Sequence, residues 1–179
     1  FILDRYTGEL KLRFEPPFVV GGPVIGQNHM LFAGGADGRF YSLQLDHPTA
    51  KEPPKRWEVL AGGPVTAAPL FYDGDTLLFA SQSGSVFSCL AGDKTFRWSF
   101  KAGGAIEGDP TVDDTGVYIA SADRSLYKLS KSSGERAWRA RFPAPLQVGP
   151  VVAGGLVYQY CQGNGIAALD AATGAQKWR

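Results

Sequence analysis

A repeat of about 40 residues runs through most of this chain and limits the folds that it can adopt. Four tryptophans mark the repeat at spacings of 41, 40 and 40 residues, and four prolines keep nearly the same step at 46, 41 and 40 residues. The markers are Trp57, Trp98, Trp138 and Trp178, with Pro23, Pro69, Pro110 and Pro150. A period of this length is typical of proteins in which one small structural unit is stacked several times.

Each repeat holds three apolar runs and a short last segment that carries the tryptophan. The third repeat, for example, reads PTVDD, then GVYIASA, then SLYKLSK, with small or polar residues between the runs. The alternation over residues 126–129 suits a strand with two unlike faces. Four short strands in each repeat predict an all-β chain made of β-propeller blades, which bury their faces against one another.

The composition fits this prediction and argues against some classes of function. The 179 residues include 23 glycines and 12 prolines, and no long stretch has the apolar period of a helix. The formal net charge of +1 gives no reason to expect a nucleic-acid partner. No apolar run approaches the ~20 residues of a membrane-spanning helix. Two cysteines are too few for a disulfide framework, so we expect Cys89 and Cys161 to be free thiols in the core.

The last repeat carries a complete Ala-x-Asp-x-x-Thr-Gly-x-x-x-Trp motif, which the other repeats keep in part. Its residues are Ala168, Asp170, Thr173, Gly174 and Trp178. The partial copies are Gly134 with Trp138, then Trp98 alone, and Asp4, Thr7 and Gly8 at the start. The motif resembles the tryptophan-docking motif of the PQQ-like repeat propellers, also called the quinoprotein alcohol dehydrogenase-like family. The resemblance covers nearly the whole chain.

This resemblance implies how the blades are held together. In the family, the indole of each blade packs on the glycine-bearing turn of the next blade, so Trp57, Trp98, Trp138 and Trp178 are predicted to be clamps between blades. The carboxylate of Asp170 is expected to accept hydrogen bonds from backbone N–H groups two or three residues further on. Gly174 is expected to take a positive φ.

The repeat also predicts how the chain is divided. Residues 1–14 are predicted to end a preceding blade, and successive blades are predicted at 15–57, 58–98, 99–138 and 139–179. Rings of this family have seven or eight blades, and a start at Phe1 lacks the features of a signal peptide. We therefore expect an excised segment of a longer propeller. The alternatives are two copies that close an eight-bladed ring and a small or open assembly. Exposed blade edges predict self-association.

The resemblance raises the question of whether the chain is an enzyme. Dehydrogenases of the family hold PQQ with a divalent cation in the axial channel, use a catalytic Asp, and many carry a disulfide between adjacent cysteines. This chain has no Cys-Cys pair, and all four of its tryptophans are at docking positions. We therefore predict no catalytic residue, cofactor or metal site. PQQ with calcium is expected only if the chain is a fragment of such a dehydrogenase. Within DPTVDDTG, Asp113, Asp114 and Gly116 are predicted to form a hairpin turn, and the alternative is a calcium role for the three aspartates of this segment.

Two groups of residues are candidates for binding a partner. Thr66, Glu107 and Gln147 stand three residues before the repeat prolines and, with Asp109, are predicted to face the channel or its rim. The alternative is a solvated polar lining with no ligand. An insertion at 46–57 is predicted to be a stiff, weakly basic surface loop that contacts a partner through Lys51, Lys55 and Arg56. The alternative is a tolerated insertion.

Together these observations predict a non-catalytic propeller that acts as a scaffold for protein partners. The resemblance extends to the propeller lipoproteins of outer-membrane β-barrel assembly and implies a periplasmic or cell-surface location in bacteria. Two alternatives remain open at this point. One is a fragment of a PQQ-dependent dehydrogenase, and the other is a sensory propeller of a signalling protein.

Overall fold

A computed structural model of the chain describes residues 2–3, 6–12, 22, 24–26, 29–45 and 55–179. These residues form four antiparallel sheets of four strands each, preceded by a two-stranded ribbon. In every sheet the strands pair in the order in which they follow one another along the chain. The structure confirms the all-β prediction and the four strands predicted for each blade. No helix in the described part of the chain has the length and apolar character needed to cross a membrane.

The strands are numbered β1 to β18 in chain order. The ribbon consists of β1 (Ile2–Leu3) and β2 (Leu10–Leu12). Blade 1 consists of β3 (Val24–Ile25), β4 (Met30–Gly34), β5 (Arg39–Gln44) and β6 (Lys55–Leu60). Blade 2 consists of β7 (Leu70–Tyr72), β8 (Thr76–Ala80), β9 (Ser85–Leu90) and β10 (Phe96–Lys101).

Blade 3 consists of β11 (Thr111–Val112), β12 (Val117–Ser121), β13 (Ser125–Leu129) and β14 (Arg136–Arg141). Blade 4 consists of β15 (Val151–Ala153), β16 (Leu156–Cys161), β17 (Gly165–Asp170) and β18 (Gln176–Trp178). The last strands of blades 1 to 3 run three residues past the tryptophans that the sequence used to divide the chain. They do so because pairing with the third strand continues, for example from Trp57 opposite Ser42 to Leu60 opposite Arg39.

The second strand of each inner blade is buried on both faces. In β8 every residue is buried, and the side chains alternate between two neighbouring blades. Leu77 and Phe79 belong to the core shared with blade 1, whereas Leu78 and Ala80 belong to the core shared with blade 3. This alternation explains why the second run of the repeat is apolar without interruption.

Aromatic rings fill much of the core between blades 1 and 2. Phe40 of blade 1 stacks on Phe79 of blade 2 with ring centroids 4.0 Å apart and planes 3° from parallel. Phe79 stacks in turn on Phe87 at 5.1 Å. Because each blade buries one face on each neighbour, stacking of blades supplies most of the apolar burial that a single sheet lacks.

The turn between β11 and β12 is the hairpin turn predicted from Asp113, Asp114 and Gly116, and the carboxylate of Asp113 holds it. Oδ1 accepts hydrogen bonds from the backbone N–H groups of Thr115 at 2.7 Å and Gly116 at 2.9 Å. Oδ2 accepts one from the hydroxyl of Tyr118 at 3.0 Å. Burial acts to raise the pKa of Asp113, but the hydrogen bonds from Thr115, Tyr118 and Gly116 outweigh it and lower the pKa below its ordinary value of 3.8.

Stability is therefore expected to depend on the ionised form of Asp113. A group whose pKa is lowered by folding stabilises the fold above its unfolded pKa, and this contribution is lost as the pH falls through the folded pKa. Asp113→Asn should cost about 1 kcal/mol at pH 7, a figure that allows for solvent screening. Urea unfolding at a series of pH values should show the difference from wild type shrinking below about pH 4.

Asp114→Asn is the control, since this carboxylate makes no hydrogen bond or ion pair with the described part of the chain. It should leave stability nearly unchanged at pH 7. An equal loss in the two variants, or a loss for Asp113→Asn that does not depend on pH, would contradict the role of Asp113.

Both cysteines are buried free thiols, as the sequence predicted. Burial, with a smaller contribution from Asp75 and Asp93, raises the pKa of the Cys89 thiol to about 12. Since the thiolate is the reactive form, a disulfide reagent at pH 8 should modify Cys89 only when the protein is unfolded. Labelling Cys161→Ala, which leaves Cys89 alone, tests this by absorbance. Rapid labelling of the native variant would show that blades 1 and 2 separate readily.

Candidate functional site

The docking of one blade on the next is clearest where Trp98 of blade 2 meets blade 3. Its indole Nε1 donates a hydrogen bond to the carbonyl oxygen of Lys131 at 2.7 Å. The ring lies against Gly134, which has a φ of +70°. A β-carbon placed on Gly134 would lie 2.5 Å from Cε3 of the indole, so only glycine fits this contact without movement.

The same geometry recurs at the junction between blades 3 and 4. Trp138 Nε1 donates to the carbonyl oxygen of Ala171 at 3.1 Å, and the ring lies against Gly174, whose φ is +72°. In blade 1, Trp57 donates to the carbonyl oxygen of Ala91 at 3.0 Å. Trp178 contacts Tyr158 within its own blade at a centroid distance of 6.0 Å and is half exposed.

The turn of the complete motif is organised by Asp170. Its Oδ1 accepts hydrogen bonds from the backbone N–H groups of Ala172 at 3.1 Å and Thr173 at 2.9 Å, and from the Thr173 hydroxyl at 3.0 Å. These bonds from Thr173, together with the ammonium of Lys177, hold the pKa of Asp170 below its ordinary value. Ala168 is buried in β17, directly opposite Trp178.

The first copy of the motif lies in the ribbon. Thr7 Oγ1 accepts a hydrogen bond from the backbone N–H of Glu9 at 3.2 Å, and Gly8 has a φ of +70°. The turn therefore has the backbone form of the later copies. Asp4 lies outside the described residues.

Blade 2 departs from the motif at the glycine position, where it has Lys94. The backbone still adopts the left-handed conformation there, with a φ of +64°. The Lys94 ammonium donates to the carbonyl oxygen of Glu58 in blade 1 at 3.3 Å. Lys94 therefore adopts a backbone conformation that ordinarily favours glycine, and its side chain makes a contact between blades 1 and 2 that glycine could not make.

The segments that precede the first strands of blades 2, 3 and 4 join neighbouring blades. Val65 N donates to the carbonyl oxygen of Gly35 at 3.0 Å, and Ile106 N and Leu146 N make the corresponding bonds to Ser81 and Ser121. The polar residues predicted to line the channel lie on these segments.

Two of the predicted channel residues take part in contacts within the protein. The carboxylate Oδ1 of Asp109 accepts a hydrogen bond from the backbone N–H of Ala68 in the preceding blade segment at 2.7 Å. Thr66 Oγ1 accepts one from the side-chain amide of Gln82 at 3.3 Å. Glu107 is half-buried and Gln147 is exposed. Their role as ligand contacts remains a prediction.

The predicted partner loop differs from its description in the sequence. Lys55 and Arg56 belong to β6, with Lys55 opposite Leu43, so they are strand residues rather than loop residues. The sequence missed this because the prolines at 53 and 54 mask the start of the strand. The ammonium of Lys55 pairs with Glu58 at 3.1 Å, and Arg56 is exposed. Lys51 lies outside the described residues.

A groove of about 660 Å³ lies between blades 2 and 3 and was not predicted from the sequence. Lys128 lines it and is 6% exposed; its ammonium donates to Thr115 Oγ1 and to the carbonyl oxygen of Ala171, each at 2.9 Å. Asp73 of blade 2 and Lys131 of blade 3 also line the groove and form an ion pair at 2.8 Å. One signal in the sequence could have indicated this groove. Lys128 occupies the motif position in blade 3 that Ala168 occupies in blade 4.

At the opposite end of blade 3, a second polar cluster surrounds Asp123. Oδ2 accepts hydrogen bonds from the hydroxyl of Tyr127 and from the backbone N–H of Gly103 at 3.1 Å. The guanidinium of Arg139 lies 3.3 Å from the same oxygen and 5.3 Å from the centre of the Tyr127 ring. Burial acts to raise the pKa of Asp123, but these donors and Ser125 outweigh it and lower the pKa.

The described residues contain no group of three or more His, Cys, Asp or Glu side chains that could hold a metal ion. The arrangement seen at the blade junctions is one of docking contacts repeated from blade to blade.

A family model described as outer membrane protein assembly factor BamB matches residues 49–179. The chain belongs to this family of PQQ-like repeat propellers. Two curated proteins are similar to it. The serine/threonine-protein kinase AfsK of Streptomyces griseus is 30% identical over 141 residues, which are 70% of this chain and 17% of the kinase. The assembly factor BamB of Moranella endobia is 23% identical over 192 residues, covering 98% of this chain and 47% of that protein.

Solved structures share the fold. BamB from Moraxella catarrhalis matches with a TM-score of 0.71 and 20% identity, over 89% of this chain and 52% of that one. The computationally designed protein Ika8 matches with a TM-score of 0.75 and 16% identity, over 95% and 52% of the two chains. The designed protein Ika4 matches with a TM-score of 0.72 and 13% identity, over 92% and 99%. The chain spans less than two thirds of both curated relatives.

Proposed function

We propose that this propeller is a non-catalytic scaffold that binds protein partners during the assembly of outer-membrane proteins. The observation that carries the proposal is the family match over residues 49–179, whose description is that of an outer-membrane assembly factor. The proposal places the protein in the periplasm or at the cell surface and requires no cofactor.

The use of polar groups near the predicted channel supports the same proposal. The carboxylate of Asp109 holds a backbone N–H of the neighbouring blade segment, and the hydroxyl of Thr66 is engaged by Gln82. The indole N–H groups of Trp98 and Trp138 are likewise engaged by backbone carbonyls of the next blade. These groups hold blades together, which suits a rigid platform for partners.

The test is to delete the gene in the organism that encodes it and to measure the fraction of folded porins in the outer membrane. Folded porins migrate differently from unfolded ones on gels run without heating. We expect the folded fraction to fall severalfold and to be restored by the intact gene. Unchanged porin assembly in the deletion strain would refute the proposed function.

A quinone assay separates this proposal from the dehydrogenase alternative. The purified full-length protein, supplied with PQQ and calcium, should reduce no artificial electron acceptor when offered alcohols or sugars. Quinone-dependent reduction above the level of a heat-denatured sample would establish the enzyme instead.

The similarity to AfsK favours a second candidate function, a sensory propeller of a signalling protein. The matched stretch is 30% identical but amounts to 17% of the kinase. Under this proposal the gene would also encode a kinase domain or another signalling domain. The coding sequence on either side of the segment distinguishes the two candidates, since a scaffold of the BamB type would continue with further propeller blades.

A further inference from the structure

Arg124 occupies a turn position that two other blades fill with glycine. Its φ is +66°, and the corresponding residues Gly38 and Gly84 have φ values of +79° and +88°. The backbone role of the three residues is the same. The carbonyl oxygen of each accepts a hydrogen bond at 2.8 Å from the first residue after the blade's last strand, which for Arg124 is Phe142.

The side chain of Arg124 therefore adds nothing to the turn that glycine does not already provide. A residue with a β-carbon is strained in the left-handed region, whereas glycine adopts it freely. Strained residues of this kind are concentrated at functional sites, where the side chain has a use that offsets its cost. Arg124 is exposed, so the use must lie at the surface.

A second arginine lies beside it. Arg141, the last residue of β14, is exposed and stands opposite Ser125, the residue that follows Arg124. Within the described part of the chain, neither guanidinium has an acidic partner within 4.0 Å or a hydrogen-bond acceptor. The nearest acid in the sequence, Asp123, is already engaged by Tyr127, Arg139 and Gly103.

The corresponding positions in the other blades carry no such pair. Blade 1 has Gly38 and Leu60, and blade 2 has Gly84 and Lys101. The ammonium of Lys101 is engaged by the carbonyl oxygen of Ser83 at 2.7 Å. Blade 3 alone among these three presents two adjacent unneutralised arginines.

We propose that Arg124 and Arg141 form a docking site for an acidic segment of a protein partner. This inference rests on the proposed scaffold function and gives it a location. The planar guanidinium group binds carboxylates through two parallel hydrogen bonds, and a pair of such groups suits two neighbouring acidic side chains.

The chemistry of the surface favours a peptide over a membrane or a nucleic acid. Binding to anionic lipid takes clusters of about four to eight basic residues, and nucleic-acid binding takes a broad basic face. Here the site offers two unneutralised arginines, on a chain whose formal net charge is +1. An acidic peptide needs no wider positive field than two arginines provide.

The test measures binding of a fluorescent octaglutamate peptide to this 179-residue chain by anisotropy at low salt. We expect binding that weakens with added salt and is about fivefold weaker in Arg141→Gln. Arg136→Gln is the matched control because it removes the same charge from an exposed position at the other end of β14. It should leave the affinity unchanged.

Arg124→Gly removes the guanidinium group but keeps a residue that suits the left-handed turn. This variant should bind the peptide about fivefold more weakly and yet melt at a higher temperature, because it removes the backbone strain. Lys94→Gly removes strain at another left-handed position, which lies in blade 2, in the turn between β9 and β10. It should keep the full affinity for the peptide.

Several results would overturn the site. The first is that the chain does not bind the peptide. The second is that Arg136→Gln and Arg141→Gln weaken peptide binding equally. The third is that the chain binds phosphatidylglycerol vesicles in place of the peptide. The porin assay distinguishes this inference from the function on which it rests. Impaired porin assembly in the deletion strain without peptide binding refutes the site alone. Normal porin assembly with selective peptide binding refutes the proposed function alone.

Discussion

Gly134→Ala is expected to destabilise the chain by about 2–5 kcal/mol, because two costs add at one atom. Alanine in the left-handed conformation costs about 1–2 kcal/mol. The new β-carbon would also meet the indole of Trp98 at 2.5 Å, and such overpacking costs about 1–3 kcal/mol. Urea unfolding followed by circular dichroism measures the total.

Gly163→Ala is the control that isolates the close contact. Gly163 has a φ of +74°, and a β-carbon placed there would meet no atom of the described residues within 4 Å. This variant should lose only the conformational cost of about 1–2 kcal/mol. If the two variants were equally destabilised, the indole would not be pressed against Gly134 in solution.

Trp98→Ala is expected to cost about 3–5 kcal/mol, the loss typical of a large buried aromatic side chain. The indole is 7% exposed and belongs to the core between blades 2 and 3. Removing the indole also removes its hydrogen bond to the carbonyl oxygen of Lys131. That oxygen keeps a second hydrogen bond, from the Tyr72 hydroxyl at 3.1 Å. Chemical unfolding of the variant and the wild type measures the loss.

Trp98→Phe divides this loss between packing and hydrogen bonding. Phenylalanine keeps an aromatic ring but cannot donate to Lys131, so we expect a smaller cost that includes about 1 kcal/mol for the lost hydrogen bond. A variant with phenylalanine as unstable as the variant with alanine would mean that the hydrogen bond, rather than burial of the ring, holds the junction.

The repeat allowed much of the fold to be predicted, because its signals are local. The 40-residue period and the alternation within each run required strands with buried faces, and the Gly-containing turns required a positive φ at Gly174. The sequence was less accurate at strand ends. It placed Lys55 and Arg56 in a loop because the two preceding prolines are typical of loops, whereas pairing with β5 extends the strand to Lys55.

The candidate binding site could not be predicted in the same way. Arg124 and Arg141 are 17 positions apart in the sequence, and neither belongs to a recognised motif. Nothing in the sequence indicates that Asp123 is engaged by other groups while the two arginines are not. That distinction depends on which donors surround each carboxylate after the chain has folded.

The all-β class, the four strands of each blade and the docking of Trp57, Trp98 and Trp138 on the next blade could all be predicted from the amino-acid sequence. These features repeat along the chain and follow from the spacing of apolar, aromatic and glycine residues. The folded structure was needed to show that Asp109 holds the backbone of Ala68, that Lys128 is buried beside a groove, and that two arginines remain unneutralised. These features involve residues of different strands and blades. They depend on how the sheets pack and on which groups surround each side chain in the folded protein.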